Sequence, residues 1–260
     1  MGEKSGWGRR RERRREGRRD DEQTRLASLR GEEAERLRLR LDIDSDMREN
    51  CRVSEMNYQS FRTSFAPFAC VSTDQVEAAF PGFNRDNYGE WVRHGYLLRL
   101  RRGWYAFAEA ADIPGVGDYF ACRMYSPSYL SLEYVMSRCG LIPESVVQIT
   151  CATSLKTALF RNAFGEFTFR SVKQDLMFGY DTETVGGGLP VFVASPAKAL
   201  CDFLYLNPRC ASREELEGLR LDEDVLAGLF ADGSLERTAA RFRSRSLARR
   251  IALLKEILPS

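Results

Sequence analysis

The stretch Tyr96-Leu97-Leu98-Arg99-Leu100-Arg101-Arg102-Gly103-Trp104-Tyr105-Ala106-Phe107 decides how this chain is read. Two short apolar runs, Tyr96 to Leu100 and Trp104 to Phe107, flank a basic turn that contains glycine, the pattern of a β-hairpin. Leu98 and Leu100 are expected to face a core. Arg99, Arg101 and Arg102 then project from the hairpin, where guanidinium groups reach phosphate oxygens or a minor groove. A solvated edge strand protected by charge is the plainer alternative.

On the N-terminal side the periodicity is helical. Tyr58, Phe61, Phe65 and Phe68 recur at helical spacing, with Pro67 placed to end that helix early. Ser72 has N-cap chemistry and Asp74 suits the first turn of a short helix that reaches Phe80 before Pro81-Gly82 stops it. Asn84 can cap a third helix, along which Tyr88, Trp91 and Val92 point one way, and Gly95 sits at the left-handed C-terminal position.

Three helices and a basic hairpin make a winged helix-turn-helix over residues 56–112, with the third helix placed to enter a major groove. The outward face of that helix carries Asp86, Glu90 and Arg93, and its two acids repel phosphate. Reading of bases therefore falls to Asn84, Arg85, Asn87 and Arg93 at the helix start and flank. The same acidic face keeps a second reading open, a winged-helix module that docks a protein instead of DNA.

On the C-terminal side, Asp112-Ile113-Pro114-Gly115-Val116-Gly117 reads as a domain boundary, with a second domain over residues 118–260. Helices are expected from Asp118 and from Ser128 to Cys139, the latter closed by Gly140. Strands are expected at Val146 to Ala152, Thr157 to Phe160, Phe167 to Val172 and Val191 to Ala194, with Gly186-Gly187-Gly188 as a loop. Ser195-Pro196 caps a helix running to Leu206, with Ala199, Leu200, Phe203 and Leu204 on its buried face. Ser212 to Leu258 reads as three amphipathic helices with breaks near Leu221-Asp222 and Asp232-Gly233. The fold class is α+β: an N-terminal winged helix-turn-helix domain, then a mixed α+β domain with a helical end.

Charge divides the chain unevenly. Lys and Arg total 39 against 37 Asp and Glu, so the chain as a whole is no polybasic coat and any DNA contact must be a local patch. Residues 1–55 hold 16 of the basic and 14 of the acidic side chains, including Arg9-Arg10-Arg11-Glu12-Arg13-Arg14-Arg15, and almost no aromatics. Disorder is expected there, with some helix from Asp20 to Leu41. A basic arm that clamps DNA and an overextended start ahead of Met56 are the other readings.

Several function classes find no support. The 7 cysteines (Cys51, Cys70, Cys122, Cys139, Cys151, Cys201, Cys210) are odd in number, widely spread and without a Cys-x-x-Cys pair, which argues against a zinc site or a disulfide framework. Free thiols in a reducing cytosol fit them better. The single histidine, His94, is the only conventional base for a nucleophilic triad, and at the end of the third helix it reads as a nucleic-acid contact or a plain surface residue. Gly186-Gly187-Gly188 lacks the remaining residues of a phosphate loop or dinucleotide fold. Asp175 and Glu183 flank a strand region, but no Glu-x-Lys follows either, which disfavours a metal-dependent nuclease. No catalytic residue, metal or cofactor is expected. With no apolar run near the roughly 18 residues of a membrane span and no signal peptide, the expected location is the cytoplasm.

One family resemblance bears on function. Tyr125-Ser126-Pro127-Ser128-Tyr129-Leu130-Ser131-Leu132-Glu133, then Tyr134 to Gly140-Leu141-Ile142-Pro143-Glu144, then Ile149-Thr150, then Ala194-Ser195-Pro196-Ala197-Lys198-Ala199-Leu200-Cys201-Asp202 with Leu204-Tyr205-Leu206 resemble the AbiEi antitoxins of type IV toxin–antitoxin systems. The likeness runs from about Tyr58 to Leu206 and includes Arg102-Gly103-Trp104-Tyr105 at the hairpin. It implies a winged helix that binds inverted repeats in its own promoter and represses it. It also implies a C-terminal domain that counters a nucleotidyltransferase-like toxin from the neighbouring gene without a stable complex. Ala197 stands where the family often has glutamate, and Cys201 where an apolar residue is more usual. Lys198 and Lys156 are charged positions in that domain that could touch DNA or another target, an ordinary exposed lysine being the plainer reading.

Overall fold

A computed structural model describes residues 56–258. The expectations for residues 1–55 lie outside the described residues. Helix α1 (Tyr58–Phe65) buries Phe61 and Phe65, one turn apart, and Pro67 gives way to a 3-10 turn at Ala66–Phe68. A short strand that the sequence did not suggest, β1 (Cys70–Ser72), follows directly. Ser72 then caps α2 (Thr73–Ala79) with a full capping box: its Oγ accepts from Gln75 N at 3.1 Å and Gln75 Oε1 accepts from Ser72 N at 2.9 Å.

Helix α3 (Asp86–Arg93) is entered through Asn84, whose Oδ1 accepts from Asp86 N at 3.0 Å. It ends as expected at Gly95, with φ +73°: Gly95 N donates to Val92 O and Tyr96 N to Trp91 O, the paired bonds of a left-handed helix stop. Tyr88 and Trp91 are buried, while Val92, expected beside them, is only half-buried. The chain returns through β2 (Leu97–Arg101) and β3 (Trp104–Phe107), and β1 joins on the far side of β3 to give the order β1-β3-β2. Phe61 holds this region together. Its ring centroid lies 4.6 Å from Trp91, 5.0 Å from Phe65 and 5.7 Å from Phe107.

A 3-10 segment, Ala108–Asp112, and a tight strap lead into the body. The strap lies on a second loop: Gly186 N donates to Pro114 O at 3.0 Å, and a Cβ at Gly186 would sit 2.8 Å from Pro114 Cδ. Glycine is required there by close approach.

The body is built on a mixed six-stranded sheet, ordered β6-β7-β5-β4-β9-β8. Its strands are β4 (Ser128–Leu130), β5 (Ile149–Thr153), β6 (Ala158–Asn162), β7 (Gly165–Ser171), β8 (Tyr180–Val185) and β9 (Leu189–Ala194). The β5–β7 and β4–β9 pairs are parallel, the others antiparallel. Helices α4 (Val116–Met124), α5 (Leu132–Arg138) and α6 (Pro196–Leu206) complete this part of the body.

Two expectations fail here. Ser128 to Leu130 is a strand, not the start of a helix; its residues are all buried, and three residues are too few to carry a period that separates the two structures. The exposed edge strand β8 was not expected, because Tyr180-Asp181-Thr182-Glu183-Thr184-Val185 shows no apolar alternation.

The C-terminal end has four helices, not three: α7 (Arg213–Glu217), α8 (Glu223–Ala231), α9 (Ser234–Phe242) and α10 (Arg245–Ile257). The extra break falls at Arg243, which takes φ +52° without the glycine that usually marks such a turn. From Tyr58 onward the chain forms one compact unit, and a shared core joins Cys70, Leu100 and Ala106 of the first sheet to the residues of the second.

Candidate nucleic-acid interface

The outward surface of α3 mixes signs. Asn84, Arg85, Asp86, Glu90, Arg93 and His94 are exposed, and Asn87 is half-buried. Arg85 Nη2 lies 4.0 Å from Glu77 Oε2 of α2, and His94 Nε2 lies 3.8 Å from Glu90 Oε1. Arg93 Nε donates to its own helix at Gly89 O, 3.4 Å away. Exposed pairs of this kind are worth little and exchange readily for other partners, so Arg85 can be drawn to a phosphate at small cost. Asp86 occupies the helix start, where a negative charge suits the dipole and competes with a phosphate for the same amides.

The hairpin departs from simple alternation. Register slips between Arg99, opposite Tyr105, and Arg101, opposite Trp104. This bulge places Leu97 and Leu100 in the core and leaves Leu98 half-buried, instead of the expected Leu98 and Leu100 pair. Arg99 and Arg102 stay exposed, and among the described residues neither has an ion-pair partner. Gly103, at φ +75°, turns the chain just beyond them.

Arg101 is the correction to the expected contact set. Its Nε donates to Met124 O at 2.5 Å, and its guanidinium carbon lies 5.9 Å from the Trp104 ring, 5.9 Å from Tyr125 and 5.8 Å from Phe160. Partial burial pulls its pKa below the usual arginine value. The bulge rotates this side chain off the solvent face, and the aromatic surface of the body then holds it. Asn84, Arg85, Arg93, Arg99 and Arg102 remain outward, and the half-buried Asn87 lies on the same helix.

A second polar cluster lies inside the body, and it corrects the reading of Lys198 as a surface lysine. Lys198 and Asp202, one turn apart on α6, form an ion pair with both side chains at 0% exposure. Lys198 Nζ donates to Tyr129 Oη at 2.7 Å, and Asp202 Oδ2 accepts from Tyr129 Oη at 2.9 Å and from Ser131 Oγ at 2.8 Å. The rings of Phe178 and Phe242 lie 4.8 and 4.7 Å from the ammonium. Burial pulls the Lys198 pKa down and pushes the Asp202 carboxyl up, each resisted by its partner.

A serine, a lysine and a carboxylate in contact resemble a nucleophilic site. Tyr129, Ser131, Lys198 and Asp202 are all at 0% exposure, and the cluster ties α6 to the β4 region and to Phe242 of α9. The sequence signal was the i, i+4 Lys and Asp on an otherwise apolar helix, each the natural partner of the other. Asp118 forms a smaller network, accepting from Tyr134 Oη at 2.6 Å beside Arg138, which pairs with Glu183 of β8 at 2.5 Å.

Among the described residues, no group of three or more His, Cys, Asp or Glu side chains is placed to hold a metal ion. No helix among them is long and apolar enough to cross a membrane. The six described cysteines are free thiols. No protein-family model matches the chain, and no curated protein matches it.

Proposed function

We propose that residues 58–107 work as a winged helix-turn-helix that binds double-stranded DNA, and that the chain is a non-enzymatic, cytoplasmic transcriptional regulator of the AbiEi antitoxin kind. One observation carries the DNA half: a single segment combines the order helix, strand, helix, helix, hairpin with exposed Arg99 and Arg102 on the hairpin. Exposed Asn84, Arg85 and Arg93 on and beside α3 supply groups that can read base edges or hold phosphates. The target in this reading is the inverted repeats of its own promoter. The antitoxin half rests on the ordered motifs from Tyr125 to Leu206, with a neighbouring nucleotidyltransferase-like toxin countered without a stable complex.

Purified protein is expected to retard a duplex from its own promoter, and Arg99→Ala with Arg102→Ala to weaken that binding. Equal affinity in the double variant would sink the wing assignment. A neighbouring gene that is harmless when expressed alone would sink the antitoxin half. The exposed Asp86 and Glu90 on α3 favour one rival, a docking face for a protein partner. Salt-insensitive association with a protein, together with no DNA binding at low salt, would select it.

A further inference from the structure

The β2 strand is tied to the body at two consecutive residues. Asn162 of β6 donates through Nδ2 to Leu100 O at 3.1 Å, and Arg101 donates to Met124 O at the end of α4. Arg101 also lies among Trp104 of the hairpin itself, Tyr125 just past α4 and Phe160 of β6. A cation at a helix C-terminus complements the dipole, and aromatic faces add further attraction. The flat guanidinium serves both at once, donating at its edge while meeting rings with its face; an ammonium has no such plane. Tyr125 is itself held, since its hydroxyl donates to Lys156 O at 2.9 Å.

We infer that Arg101 is a positioning residue that clamps the hairpin to the end of α4 and to β6, so that the body sets the angle at which Arg99 and Arg102 are presented to DNA. This deepens the DNA reading and rests on it. The clamp makes a specific consequence: residues that lie on the body side, Phe160 above all, govern DNA affinity without touching a phosphate. A direct phosphate contact has a different signature, because each one lost takes about one unit from the slope of log affinity against log salt.

The test uses the full chain and four variants: Arg101→Ala, Arg101→Lys, the milder Phe160→Leu, and Arg102→Ala as the contact control. Hydrogen exchange of amides 97–107 is measured without DNA, and affinity for the promoter duplex is measured across a salt series. Arg101→Ala and Phe160→Leu are expected to speed exchange in the hairpin and weaken DNA binding by roughly 2- to 30-fold with the salt slope unchanged. Arg101→Lys is expected to fall with them, whereas Arg102→Ala lowers the slope and leaves exchange alone. Unchanged hairpin exchange in Arg101→Ala, or a unit lost from its salt slope, overturns the clamp. Failure of the wild-type protein to bind the duplex at low salt overturns the DNA reading instead, and the exchange data then still decide whether Arg101 orders the hairpin.

Discussion

The buried Lys198 cluster of the body and the outer arginines of the hairpin in residues 58–107 hold charge in opposite settings. In the body, Lys198 meets Asp202, Tyr129 and two aromatic rings, and its charge and that of Asp202 are both at 0% exposure. On the hairpin, Arg99 and Arg102 face outward with no ion-pair partner among the described residues. A charge completed inside the fold supports the fold, and a charge left outside is available to a partner. On the proposed reading the hairpin serves recognition and the buried cluster supports the fold, with Arg101 between the two.

The sharpest way to break this contrast is to open the buried pair. Lys198→Ala strands the Asp202 carboxylate in the core and is expected to cost about 3–5 kcal/mol of stability in denaturant unfolding. Lys198→Met with Asp202→Leu removes both charges, and although Tyr129 and Ser131 lose a partner, it is expected to recover most of that loss. A double variant as unstable as the sum of the singles would show that the two charges do not compensate one another.

Alkaline pH probes the same core through its thiols. Burial pushes Cys70, Cys122 and Cys201 up to about 12 from the ordinary 9.0. The unfolded chain gives up these protons first, so the thiols' contribution is intact below pH 9 and is lost as pH rises toward 12. Each thiol is expected to remove about 1.4 kcal/mol per pH unit in that window, and urea midpoints at pH 8, 9 and 10 check it. A flat profile would mean the thiols are reached by water.

A smaller effect sharpens the boundary between the regions. Gly186→Ala would force a methyl against Pro114 of the strap, at an expected cost of about 1–3 kcal/mol. Thermal unfolding gives the size, and no loss would mean that the strap moves freely.

Much of the architecture was legible wherever the sequence carries a local chemical stop or start. Ser195-Pro196 fixed the beginning of α6, Ser72 that of α2, and Gly95 the end of α3. Boundaries made by tertiary packing were not legible. Ser128 to Leu130 is buried as a central strand, β8 is an acidic edge, and Arg243 breaks a helix in a conformation that glycine usually fills. Arg101 lies elsewhere than alternation places it for a related reason: alternation put it outward, and a bulge visible only in the paired strands turned it toward the body. Lys198 was misplaced because Tyr129, which accepts from its ammonium, and Ser131, which donates to its ion-pair partner Asp202, lie about 70 residues away in sequence.

The most direct measurement is the salt dependence of promoter-duplex binding by the full chain, compared with Arg99→Ala plus Arg102→Ala. If these two exposed arginines hold phosphates, affinity falls and the slope of log affinity against log salt drops by about two units. The same affinity and the same slope in both proteins would contradict the assignment of recognition to the hairpin.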